Sequence, residues 1–351
     1  MDNTLDKTSI YELFKRDIVS FLKYKKTAQA LPKNAEKTAE FLGYESSSPF
    51  FKNHPEVSPE NFLTFFNALR DNAALFDKFE TGSDGLIVQL NNLAAFGKTY
   101  INFIGTLSAQ MNRLDIVTEN LTAPSERDKQ KFEILSNAFI SNKNKAITFS
   151  AQAKNLLLTA KEFQKGLRGS VIAFIDNSDK RLKSLEAAET VIKTRAEINL
   201  INQKINKLTA GYEKNAEADS AGIYSECAEK LRLEIDEFES EYRKQLALYS
   251  ENISIATAIA KAIEITAGNI HSLDISVINI IANLHSVINL WNNTALEIEK
   301  NAAQIIAISS KEDFVGYFIA VSESAETWKK ITEIAAGLNK ALREIHAVYK
   351  S

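Results

Sequence analysis

The sequence predicts an all-α, elongated protein in which a helical tail bundle carries two very long antiparallel helices that form a stalk with a hairpin tip. Three observations predict this fold. Two long segments carry an apolar seven-residue repeat, and a short polar loop separates them. Proline, which costs about 3 kcal/mol inside a helix, is confined to the first 124 residues. The prolines are Pro32, Pro49, Pro55, Pro59 and Pro124.

The longer repeat begins at Tyr224 and runs to Ile305 in alternating steps of four and three residues. Every position in it is uncharged, although 25% of the chain is Asp, Glu, Lys or Arg. An unbroken repeat of this kind is typical of a helix that packs against other helices along its whole length. We therefore predict a helix over about residues 220–309, and at ~1.5 Å per residue the repeat would span roughly 120 Å.

The preceding repeat follows the same alternation from Phe132 to Phe174, with Leu167 and Ser170 as the last positions before Phe174. Its phase slips across 176–181, and the pattern then resumes and ends at Tyr212. We predict a second long helix over about 125–208.

A polar loop rich in Ala, Asn, Glu and Asp lies between the two repeats at 211–222, and Asp219 or Ser220 can cap the helix that follows. Two helical segments joined by a short loop pack as antiparallel neighbours. The hairpin is therefore predicted near 210–219.

Shorter helices precede and follow this hairpin. We predict them at about 8–30, 34–42, 59–79, 84–122 and 311–349. Ser58 as an N-cap and Pro59 at the first helical position support the third of these. The predicted organisation is an N-terminal part of the tail bundle at 1–165, a stalk and hairpin tip at 166–268, and a C-terminal part of the tail bundle at 269–351.

Composition excludes several classes of function. A formal net charge of -3 provides no basic surface for nucleic acid. The N-terminus has no basic start followed by an apolar run, so no signal peptide is recognisable. The single cysteine, Cys227, excludes an intrachain disulfide. Residues 275–296 carry no charge, but five asparagines among them favour a buried bundle helix over a membrane span.

Signals for catalysis are weak. The four histidines are widely spaced, and neither HExxH nor ExxH occurs. Gly97, Lys98 and Thr99 resemble the end of a phosphate-binding loop, but Asn92 stands where the first glycine of that motif belongs. We interpret this stretch as part of a helix and predict no catalytic residue, no cofactor and no metal site.

The region around the hairpin is amphipathic, with apolar side chains on one face and Lys and Glu on another. A charged side chain at the bilayer centre costs at least ~2.5 kcal/mol, so one such hairpin could not cross lipid alone. A ring of hairpins could, with the apolar faces toward lipid and the charged faces around water. The membrane-inserting candidates are Ile198, Ile201, Ile205, Leu208, Tyr212, Ile223, Tyr224, Leu231 and Ile235.

A second apolar candidate follows the first long repeat. Its residues are Val171, Ile172, Phe174 and Ile175. This continuous run exceeds what one packed seam requires, so it could either cover the tip or contact a membrane. Glycines mark the predicted base of the stalk, where the helices can bend. The hinge candidates are Gly166, Gly169 and Gly268.

This order of elements resembles the α-helical pore-forming toxins of the cytolysin A type. It is more similar to the B component of the two-component α-xenorhabdolysin family, because the sequence shows no strongly apolar β-tongue like that of cytolysin A. The resemblance implies a soluble protein, released without a recognisable signal peptide, that joins a homologous A-component subunit on a target-cell membrane. The heterodimers would assemble into a hetero-oligomeric ring and insert an amphipathic hairpin.

An alternative interpretation explains the same pattern without a membrane. A stalk whose apolar faces pack only on each other would be a non-lytic coiled-coil scaffold or adaptor protein. The sequence alone favours neither interpretation strongly, and an enzyme built on a helical bundle is the least supported of the three.

Overall fold

The computed structural model describes residues 7–42, 58–175 and 270–349, together with the single positions 52, 55 and 177. Within these ranges the chain forms helices and no β-strand, which confirms the predicted all-α class. The α-helices are α1 (Lys7–Ala30), α2 (Ala35–Phe41), α3 (Pro59–Thr81), α4 (Leu86–Met111), α5 (Asp115–Thr118), α6 (Glu126–Gly166), α7 (Ile270–Ile306) and α8 (Lys311–Tyr349). A π-helix, Leu167–Ile172, continues α6.

Most predicted helix boundaries in the described ranges are confirmed, and local capping explains them. Asn34 caps α2, because its side-chain oxygen accepts from the Lys37 N–H at 2.9 Å. Pro59 is the first residue of α3, where its missing N–H leaves no donor unpaired. At α8, Ser310 Oγ accepts from the Asp313 N–H at 3.1 Å, and the Asp313 carboxylate accepts from the Ser310 N–H at 3.1 Å. This reciprocal pair is a capping box.

The prediction of one continuous helix over 84–122 is wrong. The chain forms α4 and then the short α5. The Asp128 carboxylate explains the break, because it accepts from the Asp115 N–H at 2.8 Å and from the Ile116 N–H at 2.9 Å. Ser125 Oγ accepts from the Asp128 N–H at 3.1 Å, so the same acidic residue also takes part in the start of α6. A buried carboxylate from a later helix thus decides where the earlier one restarts.

The described residues divide into two compact units, each built from separate stretches of chain. Unit 1 contains the described parts of 1–80 and 157–283, and unit 2 contains those of 81–156 and 284–351. These divisions fall at other places than the predicted boundaries at 165 and 268. The predicted head lies mostly outside the described residues, so the three-part scheme stays a prediction.

Aromatic packing forms the centre of unit 2. Trp291 is fully buried, and its ring lies 5.1 Å from that of Phe96 and 5.5 Å from that of Trp328. Fully burying side chains of this size contributes about 1.5–3 kcal/mol each. The cluster therefore joins helices α4, α7 and α8.

In unit 2, α6 and α7 run antiparallel, as predicted. Ser136 Oγ donates to the Ala302 carbonyl at 2.9 Å, and Ser150 Oγ donates to Asn292 Oδ1 at 2.7 Å. Residue numbers thus rise along α6 as they fall along α7. The predicted seam of α7 is buried over its described length except at Ile280 and Val287, which are half-buried.

In unit 1 the last turns of α6 pack against α1 and α3. Phe21 of α1 stacks on Phe76 of α3 with ring centroids 4.7 Å apart, and it lies 5.2 Å from the ring of Phe163 on α6. Tyr24 donates a hydrogen bond to Asn72 Oδ1 at 2.9 Å. These contacts fix the end of α6 immediately before the π-helix.

Within the described residues, Leu273–Ile306 of α7 is long and apolar enough to cross a membrane by length and composition alone. Of its most apolar stretch, 56% is buried inside the protein. This burial fits the bundle helix predicted for 275–296, because core helices of soluble proteins meet the same criterion.

Candidate membrane-insertion region

The structure describes one of the two predicted membrane-active regions. The hairpin-tip candidates lie outside the described residues: Ile198, Ile201, Ile205, Leu208, Tyr212, Ile223, Tyr224, Leu231 and Ile235. Gly268 also lies outside them. Their role in membrane insertion stays a prediction. The second apolar candidate and the hinge glycines Gly166 and Gly169 are described.

The second apolar run packs against α3 through Phe174, and its residues are buried or half-buried in unit 1. Val171 and Ile175 are 0% and 3% exposed, and Phe174 is half-buried. The Phe174 ring stacks on Phe65 with centroids 4.1 Å apart and planes 6° apart, and it meets the edge of Phe62 at 5.4 Å. Aromatic pairs of this kind contribute about 0.5–1.5 kcal/mol beyond the area they bury. In this form the run is part of the core of unit 1, and a contact with lipid would require its release from α3.

The hinge region predicted at Gly166 and Gly169 coincides with the π-helix. The predicted seam continued from Leu167 to Ser170 and Phe174. The structure instead leaves Ser170 exposed and buries Val171 and Ile175. The seam therefore moves by one residue, because a π turn includes one residue more than an α turn. The helical phase therefore already changes within the π-helix, before the phase slip that the sequence pattern predicts at 176–181.

The two described hinge glycines have different surroundings. A Cβ on Gly166 would lie 2.6 Å from Asn72 Nδ2, so this glycine permits a close approach of α3. That Asn72 amide donates to the Phe163 carbonyl at 2.8 Å. A Cβ on Gly169 would meet nothing within 4 Å, and Gly169 is exposed. Gly166 is therefore a packing residue, whereas Gly169 lies in open space within the π-helix.

A buried ion pair connects the π-helix to the start of α7. Arg168 Nε donates to both carboxylate oxygens of Asp274 at 2.9 Å, and Arg168 Nη2 lies 2.9 Å from Asp274 Oδ2. The Asp274 side chain is only 5% exposed. Burial raises the pKa of the Asp274 carboxyl above its ordinary value, and the hydrogen bonds and charge of Arg168 oppose that rise. The pair is thus held against a desolvation cost.

Sequence reasoning missed the π-helix and the Arg168–Asp274 pair. One signal for the π-helix was present. Leu167, Val171 and Ile175 are spaced four residues apart, whereas a heptad seam alternates steps of three and four. The ion pair had no signal in the sequence, because it joins residues far apart in the chain.

No chemical site emerges from the described part of the chain. It contains no group of three or more His, Cys, Asp and Glu side chains that could hold a metal ion. Gly97 lies inside α4, as predicted, and packs against Trp328 and Thr332 of α8.

Several solved structures share this fold, whereas no protein-family model and no curated protein matches the sequence. The toxin component HblL1 from Bacillus cereus is 14% identical, with a TM-score of 0.59 over 94% of this chain and 94% of that chain. YaxA from Yersinia enterocolitica is 16% identical, with a TM-score of 0.52 over 96% of this chain and 98% of that chain.

A chain of the XaxAB pore complex from Xenorhabdus nematophila is 18% identical, with a TM-score of 0.50 over 97% of this chain and 100% of that chain. The decisive observation is that each match covers nearly the full length of both chains. This chain has the fold of α-pore-forming toxin components. The predicted resemblance to α-pore-forming toxins is thereby confirmed at the level of the fold, and the assignment to a B component stays a prediction.

Proposed function

We propose that this chain is one subunit of a multi-component α-pore-forming toxin. It is soluble before assembly, joins a homologous partner subunit on a target-cell membrane, and contributes an amphipathic helical hairpin to a hetero-oligomeric pore. The observation that carries this proposal is the full-length fold match to a chain of the XaxAB pore complex. Because the XaxAB pore complex has two components, the same match also supports the expectation of a partner subunit.

The packing of the second apolar run supports a soluble starting form. Exposed apolar patches beyond a few hundred Å² promote association in water. Val171 and Ile175 are buried and Phe174 stacks on Phe65 of α3, so most of this run is withdrawn from water in the form described here. We therefore propose that the hairpin tip contacts lipid first and that residues 171–175 contact it in a later step.

The test is leakage of a self-quenching dye from phospholipid vesicles. The full chain is added alone, with each subunit of XaxAB separately, and with any long helical protein encoded beside it. We expect leakage with one partner and little with this chain alone. A chain in the B position should complete leakage with an A subunit and not with a B subunit. Absence of both vesicle binding and leakage under every condition contradicts the proposal and favours the scaffold interpretation.

The tip residues are tested by Ile201→Asp/Ile205→Asp. Each Asp at mid-membrane depth costs about 2.5–3.5 kcal/mol, so leakage should fall at least tenfold. The matched control is Lys204→Gln/Lys207→Gln on the charged face, which adds no charge to lipid and should retain leakage. Thermal unfolding, followed by circular dichroism, checks that all variants remain folded. Full leakage by the Asp variant would exclude this part of the hairpin from the membrane.

A further inference from the structure

The π-helix Leu167–Ile172 contains about one residue more than an α-helical segment with the same number of turns. Phe163, near the end of α6, and Leu167, the first residue of the π-helix, are buried in unit 1. Val171, within the π-helix, and Ile175, after it, are also buried in unit 1. A return of this segment to α-helical geometry would turn all that follows by about 100° relative to α6, since each residue of an α-helix advances by that angle.

Such a turn would break two sets of contacts together. Arg168 would lose its alignment with Asp274, where three nitrogen–oxygen distances are now 2.9 Å. Phe174 would leave its stacked position on Phe65. In the form described here, two contacts therefore stabilise the π-helical geometry. One is the ion pair of Arg168 with Asp274, and the other is the stack of Phe174 on Phe65.

We propose that this π-helix is a conversion point, whose change to α-helical geometry releases residues 171–175 from α3 when the soluble protein meets a lipid-like surface. The inference rests on the proposed function, because that function requires a second form. π-Helices occur in proteins mostly as single turns, frequently at functional sites. Here the π-helix follows the packed end of α6 and includes the first two residues of the apolar run, Val171 and Ile172.

The surroundings of the two glycines assign the moving side. Gly166 lies against Asn72, whose amide also bonds the Phe163 carbonyl, so the end of α6 stays attached to α3. A Cβ at Gly169 would meet no neighbouring atom within 4 Å, so no close packing holds the chain at this position. The end of α6 is therefore the fixed side, and the segment from Leu167 onward, which includes Arg168, is the part that turns.

Deletion of Gly169 tests the stored residue directly. With one residue fewer, a continuous α-helix would bring the residues after the deletion to the positions they occupy now. We expect a folded protein whose midpoint of thermal unfolding is unchanged or higher and whose partner-dependent vesicle leakage falls at least tenfold. The matched control Gly169→Ala keeps the residue count and meets no neighbour, so it should retain leakage. A folded deletion variant that leaks at the wild-type rate overturns the inference.

Hydrogen exchange measured by mass spectrometry gives a readout that does not depend on lysis. On addition of dodecyl maltoside micelles, we expect wild-type peptides covering 59–81 and 171–175 to lose protection together, at least tenfold. Unchanged protection of either segment overturns the inference, whether or not vesicles leak. Loss of protection without any leakage would instead contradict only the proposed function.

A second variant tests the inference if the deletion variant does not fold. Asp274→Asn keeps the shape of the side chain but removes the negative charge from the buried Arg168 pair. We expect the loss of protection in 59–81 and 171–175 to occur at a lower detergent concentration, by at least twofold. The control Asp77→Asn removes the charge of a half-exposed ion pair between α3 and Lys25 of α1. Because surface ion pairs contribute about 1 kcal/mol or less, this variant should not shift the concentration. An Asp274→Asn variant indistinguishable from wild type overturns the role of the ion pair.

Discussion

Gly97 shows how a single missing side chain can position two helices. A Cβ at this position would lie 1.9 Å from Thr332 Oγ1 and 3.2 Å from the Trp328 ring. Gly97 is buried in α4, and α8 packs directly over it. Gly105 lies on the same helix, yet a Cβ there would meet nothing within 4 Å. We therefore expect substitution by alanine to change the free energy of unfolding in opposite directions at Gly97 and Gly105.

We predict that Gly97→Ala lowers the free energy of unfolding by about 2 kcal/mol, because an extra methyl group in a packed core forces its neighbours apart. Gly105→Ala should raise it by up to ~1 kcal/mol, because alanine is the better helix former and nothing obstructs its side chain. Urea unfolding followed by circular dichroism measures both. A stabilising Gly97→Ala would show that α8 can move away from α4 at no cost.

At the scale of the element, carboxylates decide where several helices start. Asp128 accepts hydrogen bonds from backbone N–H groups at α5 and takes part in the start of α6. Asp313 has the corresponding position at α8, where its carboxylate accepts from the Ser309 N–H, the Ser309 hydroxyl and the Ser310 N–H. These bonds lower the pKa of the Asp313 carboxyl, because they favour its charged form.

This lowered pKa predicts the direction of a pH effect on α8. Asp313 binds its proton less readily in the folded protein than in the unfolded chain. Its contribution to stability is therefore present above the ordinary aspartate pKa of about 3.9 and is lost as the pH falls through the lower folded value. Thermal unfolding measured between neutral pH and pH ~3 checks this, since Asp313→Asn should lose less stability on acidification than the wild type does. Parallel pH profiles for the two proteins would contradict the assignment.

At the scale of the whole molecule, each compact unit combines stretches from distant parts of the chain. The fold so formed matches toxin components over nearly their full length. The proposed function then predicts how the chain assembles. A subunit that waits for a partner should be monomeric by itself, whereas a coiled-coil scaffold should dimerise without help.

We predict a monomer at micromolar concentration in buffer, and a larger complex only when a partner subunit and lipid or detergent are both present. Size-exclusion chromatography with light scattering gives the mass in each condition. The conversion-point variant lacking Gly169 should remain monomeric in buffer like the wild type. A stable dimer of this chain alone, unaffected by detergent, would contradict the proposed toxin role and support the scaffold interpretation.

The sequence by itself determined the all-α class, most helix boundaries in the described ranges and the antiparallel pairing seen between α6 and α7 in unit 2. These follow from local physics. Proline positions, the cap at Ser58, and a repeat matched to the helical period act over a few residues, so one sequence is enough to predict them. The Gly97 stretch was correctly predicted to be helical for the same reason.

Only the tertiary structure decided the break before α5, the one-residue shift of the seam and the burial of Val171 and Ile175. Each is accompanied by a contact with another segment: Asp128 bonds the N–H groups at the break, Asp274 pairs with Arg168 of the π-helix, and Phe65 stacks on Phe174 of the apolar run. A periodic pattern indicates that one face of a helix is apolar. It does not indicate which surface packs against that face, or where a π turn adds one residue to the helix. Those outcomes depend on packing and desolvation energies that exist only once distant segments meet.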